Sequence, residues 1–228
     1  MNDSLAENEV SLSRVEKVYR TIRNNILSNQ YPPGHQVLEP ELARQLGVSR
    51  TPVREALIRL EAEKLIELIP RRGMRVLPLV PKDYLQISQA ISALEEKALH
   101  LLLSLNPGRD VLQPMADAVR EMDEAMQTND LVAWAEADEK FHRLLASLCG
   151  NERLNLLLEM LRAQTYRARL ILLKLRPNLE ASNQSQKEIF QAVVNGDVEA
   201  VEGLYRSHRQ RVLSEAMALL EKYSLPHI

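Results

Sequence analysis

Residues 40–57 read PELARQLGVSRTPVREAL, a stretch that predicts two short helices joined by a tight turn. Its first half carries three apolar residues at helical spacing, namely Leu42, Ala43 and Leu46. Gly47 can adopt the positive φ that closes a helix, and Ser49 is a favourable N-cap for the helix that follows. Pro52 falls in the first turn of that helix, where its missing N–H costs little. We therefore interpret the stretch as a helix-turn-helix.

The second of these helices has two unlike faces. One face is apolar and comprises Val53, Ala56, Leu57 and Leu60. The other face places Arg50, Thr51 and Arg54 in the N-terminal turn, with the two arginines one helical turn apart. An α-helix fits the major groove of DNA, arginine matches the paired acceptors of guanine, and the N–H groups after the Ser49 cap can bind a phosphate. We predict DNA contacts from this helix and a DNA-backbone contact from Arg44 of the preceding helix.

A strand-turn-strand pattern follows the two helices. Residues 65–69 and 74–77 are predicted as strands, and the turn between them reads Pro70-Arg71-Arg72-Gly73. A β-hairpin after a helix-turn-helix is a wing. Its tip offers Arg71 and Arg72 to DNA, and Gly73 lets the backbone approach a groove wall closely.

Charge is distributed unevenly along the chain. The formal net charge of the 228 residues is −2, which by itself does not indicate a DNA-binding protein. Residues 1–80 hold 12 Lys and Arg against 10 Asp and Glu, or +2, and residues 81–228 hold 17 against 21, or −4. Between residues 14 and 75 all 12 basic residues face only 7 acidic ones. A basic module is therefore joined to an acidic one, and the local charge is what meets phosphate.

Composition predicts a mostly helical protein of two domains. The chain is 45% apolar and 26% charged, with only 4% aromatic residues and 7 glycines, which favours helices over sheets. A single cysteine, Cys149, excludes an internal disulfide and suits a reducing compartment. The sequence has no apolar run as long as a membrane span, and its acidic N-terminus is unlike a signal peptide. We expect a cytoplasmic location and no contact with a membrane.

The predicted organisation has four segments: a flexible tail over 1–11, the winged domain over 12–77, a linker over 78–82 and a helical domain over 83–228. Pro78 and Pro81 make the linker stiff, because two prolines in four residues can continue neither a helix nor a strand ladder. An amphipathic helix over 15–27 opens the winged domain.

The helical domain is predicted as an antiparallel bundle of about six helices. Breaks rich in Gly, Pro and Asn separate predicted helices over 83–104, 110–128, 130–149, 152–176, 182–195 and 198–223. The helix over 152–176 carries more leucine and isoleucine than one side of a monomeric bundle requires, so we expect a homodimer.

The N-terminal motifs resemble the winged-helix domain of the GntR family of bacterial transcription regulators. The resemblance is carried by the sequence GVSRTPVREAL at 47–57, by Pro33-Gly34 and Glu41-Leu42-Ala43 before it, and by Pro70-Arg71-Arg72-Gly73 after it. It implies that Arg50, Thr51 and Arg54 read bases, that Arg72 and Gly73 enter the minor groove, and that a dimer binds a short inverted repeat in double-stranded DNA. One departure is Pro40, where some members have a basic residue that contacts DNA.

Asp138 and His142 lie four residues apart in a predicted helix, so both can face one metal ion. On spacing alone such a pair is more often a salt bridge than a metal site. His208 in the last helix is a candidate third ligand.

The C-terminal half resembles the FCD ligand-binding domain of the FadR/VanR-like branch of this family. The matching residues are the Phe141-His142 pair with Asp138, Cys149-Gly150-Asn151, the stretch AVVNGDVEA at 192–200, and His208. The resemblance implies one divalent ion of the zinc or nickel type, held by Asp138, His142, His208 and a histidine from the fifth helix of the domain. A carboxylate effector would then complete the coordination shell.

Two departures from that pattern concern the effector site. Gln186 stands where the fifth-helix histidine belongs. Its amide oxygen is a weaker fourth ligand than imidazole, so we expect a metal affinity that is lowered or lost. Ile91 stands near Glu95 where an arginine is usual, which points to an effector less acidic or more hydrophobic than common organic acids. Three arginines, Arg162, Arg167 and Arg169, either supply a replacement charge or line the outside of their helix, and the second arrangement is favoured. The predicted effector pocket therefore contains Ile91, Glu95 and Gln186.

These observations predict a dimeric transcription regulator, more often a repressor in this family, whose DNA affinity responds to a small-molecule effector in the helical domain. Two alternatives stay open on the sequence. One is a metal-dependent enzyme using Asp138, His142 and His208, although no nucleophile or separate acid and base is evident. The other is a winged helix that binds proteins instead of DNA.

Overall fold

A computed structural model describes residues 13–176 and 179–223 and divides the chain into two compact units that separate between Pro78 and Leu79. Within the described residues the first unit contains α1 (Arg14–Leu27), β1 (Gln36–Val37), α2 (Glu39–Leu46), α3 (Arg50–Ala62), β2 (Ile66–Ile69) and β3 (Gly73–Val76). The second contains α4 (Pro81–Ser104), α5 (Arg109–Gln127), α6 (Leu131–Leu148), α7 (Glu152–Leu175), α8 (Glu180–Asn195) and α9 (Val198–Lys222). The predicted fold class is confirmed, whereas the predicted tail over 1–11 lies outside the described residues.

The helix-turn-helix is formed by α2 and α3. Gly47 ends α2 in the left-handed conformation, with φ of 65°, and its N–H bonds back to the last turn. Ser49 occupies the N-cap of α3 in an extended conformation, but its side chain makes no capping hydrogen bond, so that part of the expectation is wrong. The buried residues of α3 pack against α1 and α2, which contribute Val18, Ile22, Ile26, Leu42 and Ala43 to the core of this unit.

The wing is a three-stranded antiparallel sheet in the order β1-β3-β2, one strand more than the sequence predicts. β1 pairs Gln36 with Arg75 and Val37 with Met74. It was missed because two residues of strand carry too little periodicity to be recognised. Gly73 makes the pairing possible, since its φ is 78° and a Cβ there would lie 2.1 Å from the Val37 carbonyl oxygen.

The six helices of the second unit agree with the predicted ones to within two residues at each end. The main difference is at Pro81, which begins α4 and does not extend the linker as predicted. Proline is accepted in the first turn of a helix because the N–H it lacks has no partner there. The side chains of Asp130, Asn151 and Asp197 cap α6, α7 and α9 by accepting hydrogen bonds from backbone N–H groups. The predicted break at 177–178 lies outside the described residues.

The bundle buries a continuous apolar core together with a set of polar side chains. Trp134, Phe141 and Tyr205 are the large aromatic members of that core. The buried polar side chains are Ser88, Glu95, Asp138, Glu139, His142, Arg162, Thr165, Arg167, Ser182, Asn183, Gln186 and His208. Burying so many polar groups is unfavourable unless they pair with one another, so their contacts mark the part of the bundle that has a role besides packing. Among the described residues, no helix is both long and apolar enough to cross a membrane.

The close approach at Gly73 can be tested against a second glycine. Gly34 also has a positive φ, 80°, but a Cβ there meets nothing within 4 Å. We expect Gly34→Ala to lower the free energy of unfolding by about 1 kcal/mol through backbone strain alone. Gly73→Ala should cost about 3 kcal/mol or more, because overpacking against β1 adds to the strain. Amide hydrogen exchange at Gly34 and Val76 measures the loss, and equal effects of the two variants would contradict the stated role of Gly73.

Candidate nucleic-acid interface and effector site

The predicted DNA-contact residues are exposed on the first unit. Arg44, Ser49, Arg50, Thr51, Arg54, Arg71 and Arg72 are all exposed, and Gly73 is half-buried. None of the five arginines has a carboxylate partner within the described residues. Four arginines elsewhere in the unit do pair with glutamates: Arg20, Arg23, Arg59 and Arg75. The four ion-paired arginines are thus neutralised, whereas those at the start of α3 and on the wing remain as exposed cations.

The wing tip is fixed by contacts that sequence reasoning missed. The Gln36 side-chain amide donates a hydrogen bond of 2.9 Å to the Arg72 carbonyl oxygen, and the Arg72 N–H donates to the Ile69 carbonyl oxygen. Arg71 has a φ of 65° at the apex of the turn. Gly73 therefore serves first to let β3 approach β1, which holds the two arginines of the tip in place.

Two adjoining cavities lie inside the second unit. The larger is lined mainly by α6, α7 and α9 and contains Asp138, His142 and His208. The smaller is lined mainly by α4, α7 and α9 and contains Ile91 and Glu95. Five residues line both: Tyr84, His142, Arg169, Arg209 and Val212. Ile91 and Glu95 thus lie where an effector pocket was predicted.

Gln186 is fully buried and lines neither cavity, although the sequence predicts it as a residue of the effector pocket. Its amide nitrogen donates to Asp138 Oδ1 at 2.8 Å and lies 3.1 Å from His142 Nε2. His142 Nε2 is 3.7 Å from Asp138 Oδ1. The structure therefore brings Asp138, His142 and Gln186 together, as the sequence predicts.

Arg169 joins this cluster from α7. Its guanidinium donates to Asp138 Oδ2 at 2.6 Å and to Glu139 Oε2. Burial would raise the pKa of the Asp138 carboxyl, but His142 and Arg169 outweigh burial and hold that pKa below its usual value. Asp138 is consequently an anion with both oxygens engaged.

Glu95 is the centre of a second buried network, with only 1% of the residue exposed. Its carboxylate accepts hydrogen bonds from Arg162 of α7 and from the Tyr205 hydroxyl of α9. The same Arg162 nitrogen also donates to the His142 carbonyl oxygen at 2.7 Å. Burial alone would raise the pKa of the Glu95 carboxyl, but nearby His142 and Arg162 hold it well below its usual range.

The expectation that Arg162, Arg167 and Arg169 line the outside of α7 is wrong. Arg162 and Arg167 are buried, and Arg169 is partly buried beside Asp138. Their inward orientation was detectable only as charged residues interrupting the apolar face of α7, a weak signal. Arg209 was missed altogether. It lines both cavities, with its Nε 3.8 Å from Glu95 Oε2.

His208 is buried in the wall of the larger cavity, and its ring centroid is 6.5 Å from that of His142. Burial and the nearby His142 lower the pKa of His208 to about 3, so its imidazole is neutral at pH 7. Its Nδ1 lies 3.3 Å from a guanidinium nitrogen of Arg211. Arg211 has no acceptor atom, so Nδ1 is the acceptor of this contact.

The arrangement of these residues does not fit a divalent metal ion. Each Asp138 oxygen already accepts a hydrogen bond, and the amide nitrogen of Gln186 is directed at the cluster. Within the described residues no three His, Cys, Asp or Glu side chains are grouped to hold a metal. A metal-bound histidine usually donates its second ring N–H to a carboxylate or carbonyl. The Nδ1 of His208 instead faces a guanidinium, to which it cannot donate. The predicted zinc- or nickel-type ion stays a prediction that metal analysis must test.

Comparison with known proteins assigns both units. Residues 14–76 match the family of bacterial regulatory proteins named gntR, and residues 86–211 match the FCD domain. The chain is 41% identical over 139 residues to an HTH-type transcriptional regulator in the TAR-I ttuE-ttuC' intergenic region of Agrobacterium vitis, covering 60% of this chain and 81% of that protein. It is 25% identical over 209 residues to the HTH-type transcriptional repressor RspR of Escherichia coli, covering 92% and 91%.

The fold is shared with a solved structure of E. coli McbR/YncC, with a TM-score of 0.77 at 18% identity, over 91% of this chain and 99% of that one. A winged helix-turn-helix joined to a six-helix bundle of this kind defines a class of bacterial transcription regulators. The chain belongs to the GntR family and carries an FCD domain. It is a transcriptional regulator and not an enzyme, which closes the enzymatic alternative.

The Glu95 network has a matched control in the next residue. Glu96 pairs with Arg206 at the surface, where the two side chains are 36% and 65% exposed. We expect Glu95→Gln to lower the free energy of unfolding by about 3 kcal/mol or more, because Arg162 would be left buried without its partner charge. Glu96→Gln should cost less than about 1 kcal/mol. Denaturant unfolding followed by the fluorescence of Trp134, the only tryptophan, reports on this unit, and similar losses in both variants would refute the assignment.

Proposed function

We propose that the first unit reads double-stranded DNA through Arg50, Thr51 and Arg54 of α3, with Arg44 and the wing residues Arg71, Arg72 and Gly73 as further contacts. The observation that carries this proposal is that these arginines are exposed and lack carboxylate partners within the described residues, whereas neighbouring arginines are ion-paired. Guanidinium groups that have no carboxylate partner can bind guanine acceptors and phosphates without first breaking an ion pair within the protein. Ser49 contributes its backbone N–H at the same helix start.

The second unit binds a small-molecule effector in the adjoining cavities. Each cavity is lined by three arginines and one carboxylate: Arg169, Arg176 and Arg209 with Asp138 in the larger, and Arg162, Arg169 and Arg209 with Glu95 in the smaller. Arg162, Arg169 and Arg176 donate directly to carboxylates, whereas Arg209 has only a long contact of 3.8 Å with Glu95. The Arg209 guanidinium is therefore the best-placed partner for an anion and favours an effector with an anionic group, whose carbon skeleton the apolar lining accommodates.

The protein acts as a cytoplasmic homodimer on an inverted repeat, and as a repressor. Dimerisation is favoured because one recognition helix reads a short half-site, and two copies bind far more tightly than one. Of the α7 leucines, Leu154, Leu158, Leu172 and Leu173 are buried in their own bundle, whereas Leu156, Leu157 and the neighbouring Ile171 are exposed. The repressor RspR among the relatives favours repression. Sedimentation equilibrium at micromolar concentration tests the dimer.

The effector would change DNA affinity through α4. This helix starts at Pro81, three residues after the winged unit ends, and supplies Tyr84, Ser88, Ile91 and Glu95 to the cavities. A ligand that prefers one position of α4 therefore shifts the population of DNA-competent dimers.

The DNA contacts are tested by neutralising single arginines on one helix. We expect Arg50→Gln and Arg54→Gln each to weaken binding about 10- to 100-fold, because each removes a base or phosphate contact. Arg59→Gln removes the same charge from α3 but loses an ion pair with Glu16, so binding should change by less than about threefold. The measurement is fluorescence anisotropy with the duplex enriched from a random double-stranded library by the wild-type protein.

Two outcomes would contradict this assignment. If the selection enriches no duplex at moderate salt, sequence-specific DNA binding is excluded, and the protein-interaction alternative gains support. If Arg59→Gln weakens binding as much as Arg50→Gln, the contact is general electrostatic attraction and not recognition by the start of α3.

The effector site is tested by thermal unfolding with a panel of small carboxylic acids, their neutral alcohol analogues and matched amines. We expect one or more carboxylates to raise the melting temperature of the wild type, since a ligand that binds only the folded state stabilises it. Arg209→Gln should abolish the shift. Arg206→Gln, on the same helix but paired with Glu96 at the surface, should retain it. Stabilisation by amines or alcohols alone would refute the anionic class.

A further inference from the structure

We propose that in this chain the guanidinium of Arg169 occupies the role of a metal cation, and that the effector cavity works without a divalent ion. The inference rests on the proposed function, in that it assumes the cavity to be the effector site. It is drawn from the contacts of Asp138, Gln186 and His208, which depart from a metal site in three ways.

The first departure is the ion pair of Asp138. Its Oδ2 accepts from Arg169 at 2.6 Å and its Oδ1 accepts from Gln186 at 2.8 Å. Arg169 is held in this position by a second carboxylate, Glu139, so its charge is anchored on two sides. A divalent ion bound to Asp138 would lie beside a fixed guanidinium and be repelled by it. The carboxylate that a metal would need is already neutralised.

The second departure is the orientation of Gln186. Only the nitrogen of its amide can face Asp138 at 2.8 Å, because a carbonyl oxygen at that distance from a carboxylate oxygen would be repelled. The same NH₂ group lies 3.1 Å from His142 Nε2, the atom that would ligate a metal. Gln186 therefore presents donors where a metal ion requires a lone pair.

The third departure is the tautomer of His208. Its Nδ1 faces a guanidinium nitrogen of Arg211 at 3.3 Å and so accepts a hydrogen bond. In a neutral imidazole the other nitrogen then carries the proton and cannot ligate a metal. A metal-binding histidine needs the opposite arrangement, with a carboxylate or carbonyl at its second nitrogen. His142 differs from His208, because its Nδ1 lies 3.2 Å from a carboxylate oxygen, Glu95 Oε1.

These three contacts have a common consequence. The charge of Asp138 is neutralised by Arg169 without any bound ion, which makes the site independent of metal supply and resistant to chelators. An anionic effector can then meet Arg209, which lines each cavity and has only a long contact with Glu95.

Metal content and thermal unfolding test the proposal without using DNA. The protein, free of any affinity tag, is loaded with zinc or nickel chloride, dialysed, and measured by elemental analysis and titration calorimetry. We expect the wild type to retain far less than about one ion per chain and to keep its melting temperature in EDTA. Gln186→His combined with Arg169→Gln should restore the missing ligand and free Asp138, raising metal affinity at least about tenfold.

The control is Gln184→His, which adds a histidine to an exposed position of the same helix and should bind no better than the wild type. The proposal is overturned if the wild type holds one equivalent of metal that is lost in His142→Ala. It is also overturned if the double variant, folded by circular dichroism, binds no more tightly than Gln184→His. Should the double variant not fold, Arg169→Gln alone decides: unchanged affinity relative to the wild type counts against a role for Arg169. Failure of DNA binding in the other assays would leave all these readouts intact.

Discussion

The second unit depends on the burial of carboxylates beside arginines. Glu95 lies almost without solvent contact and is joined to Arg162 of α7 and Tyr205 of α9, so that one side chain of α4 connects three helices. Charges removed from water are tolerated only when their geometry is satisfied, and breaking such a pair is far more costly than losing an apolar contact. The spacing of these helices, and hence the shape of the cavities between them, follows from that requirement.

A second pair, Asp138 with Arg169, serves the same end in the larger cavity. Together the two networks keep arginines at the cavity surface that would otherwise turn to solvent. For the anionic effector that we propose, such a site is pre-organised, because its charged groups are held in place before a ligand arrives. The same contacts support the proposal that the residues resembling a metal site hold no ion here, because both Asp138 oxygens already accept hydrogen bonds from Arg169 and Gln186.

The first unit treats charge in the opposite way. Its structural arginines pair with glutamates on α1 and on the wing, and those at the start of α3 and at the wing tip are left exposed. Gly73 and Gln36 hold the tip against β1, so the exposed arginines stand on a rigid support. Charge is therefore buried in networks between the helices of one unit, and in the other it is exposed on the surface for which we propose DNA contacts.

The sequence by itself determined the elements whose cause is local. Gly47, the cap position of Ser49 and the apolar spacing of α2 and α3 specify the helix-turn-helix, and the Gly, Pro and Asn breaks delimit the six helices of the bundle. Only the tertiary structure decided the third strand, the inward orientation of Arg162 and Arg169, and the face that Gln186 presents to Asp138. These features join residues that are tens of positions apart. Hydrophobic periodicity records which face of a helix is buried, but it does not record which polar group on another helix will be there to meet it.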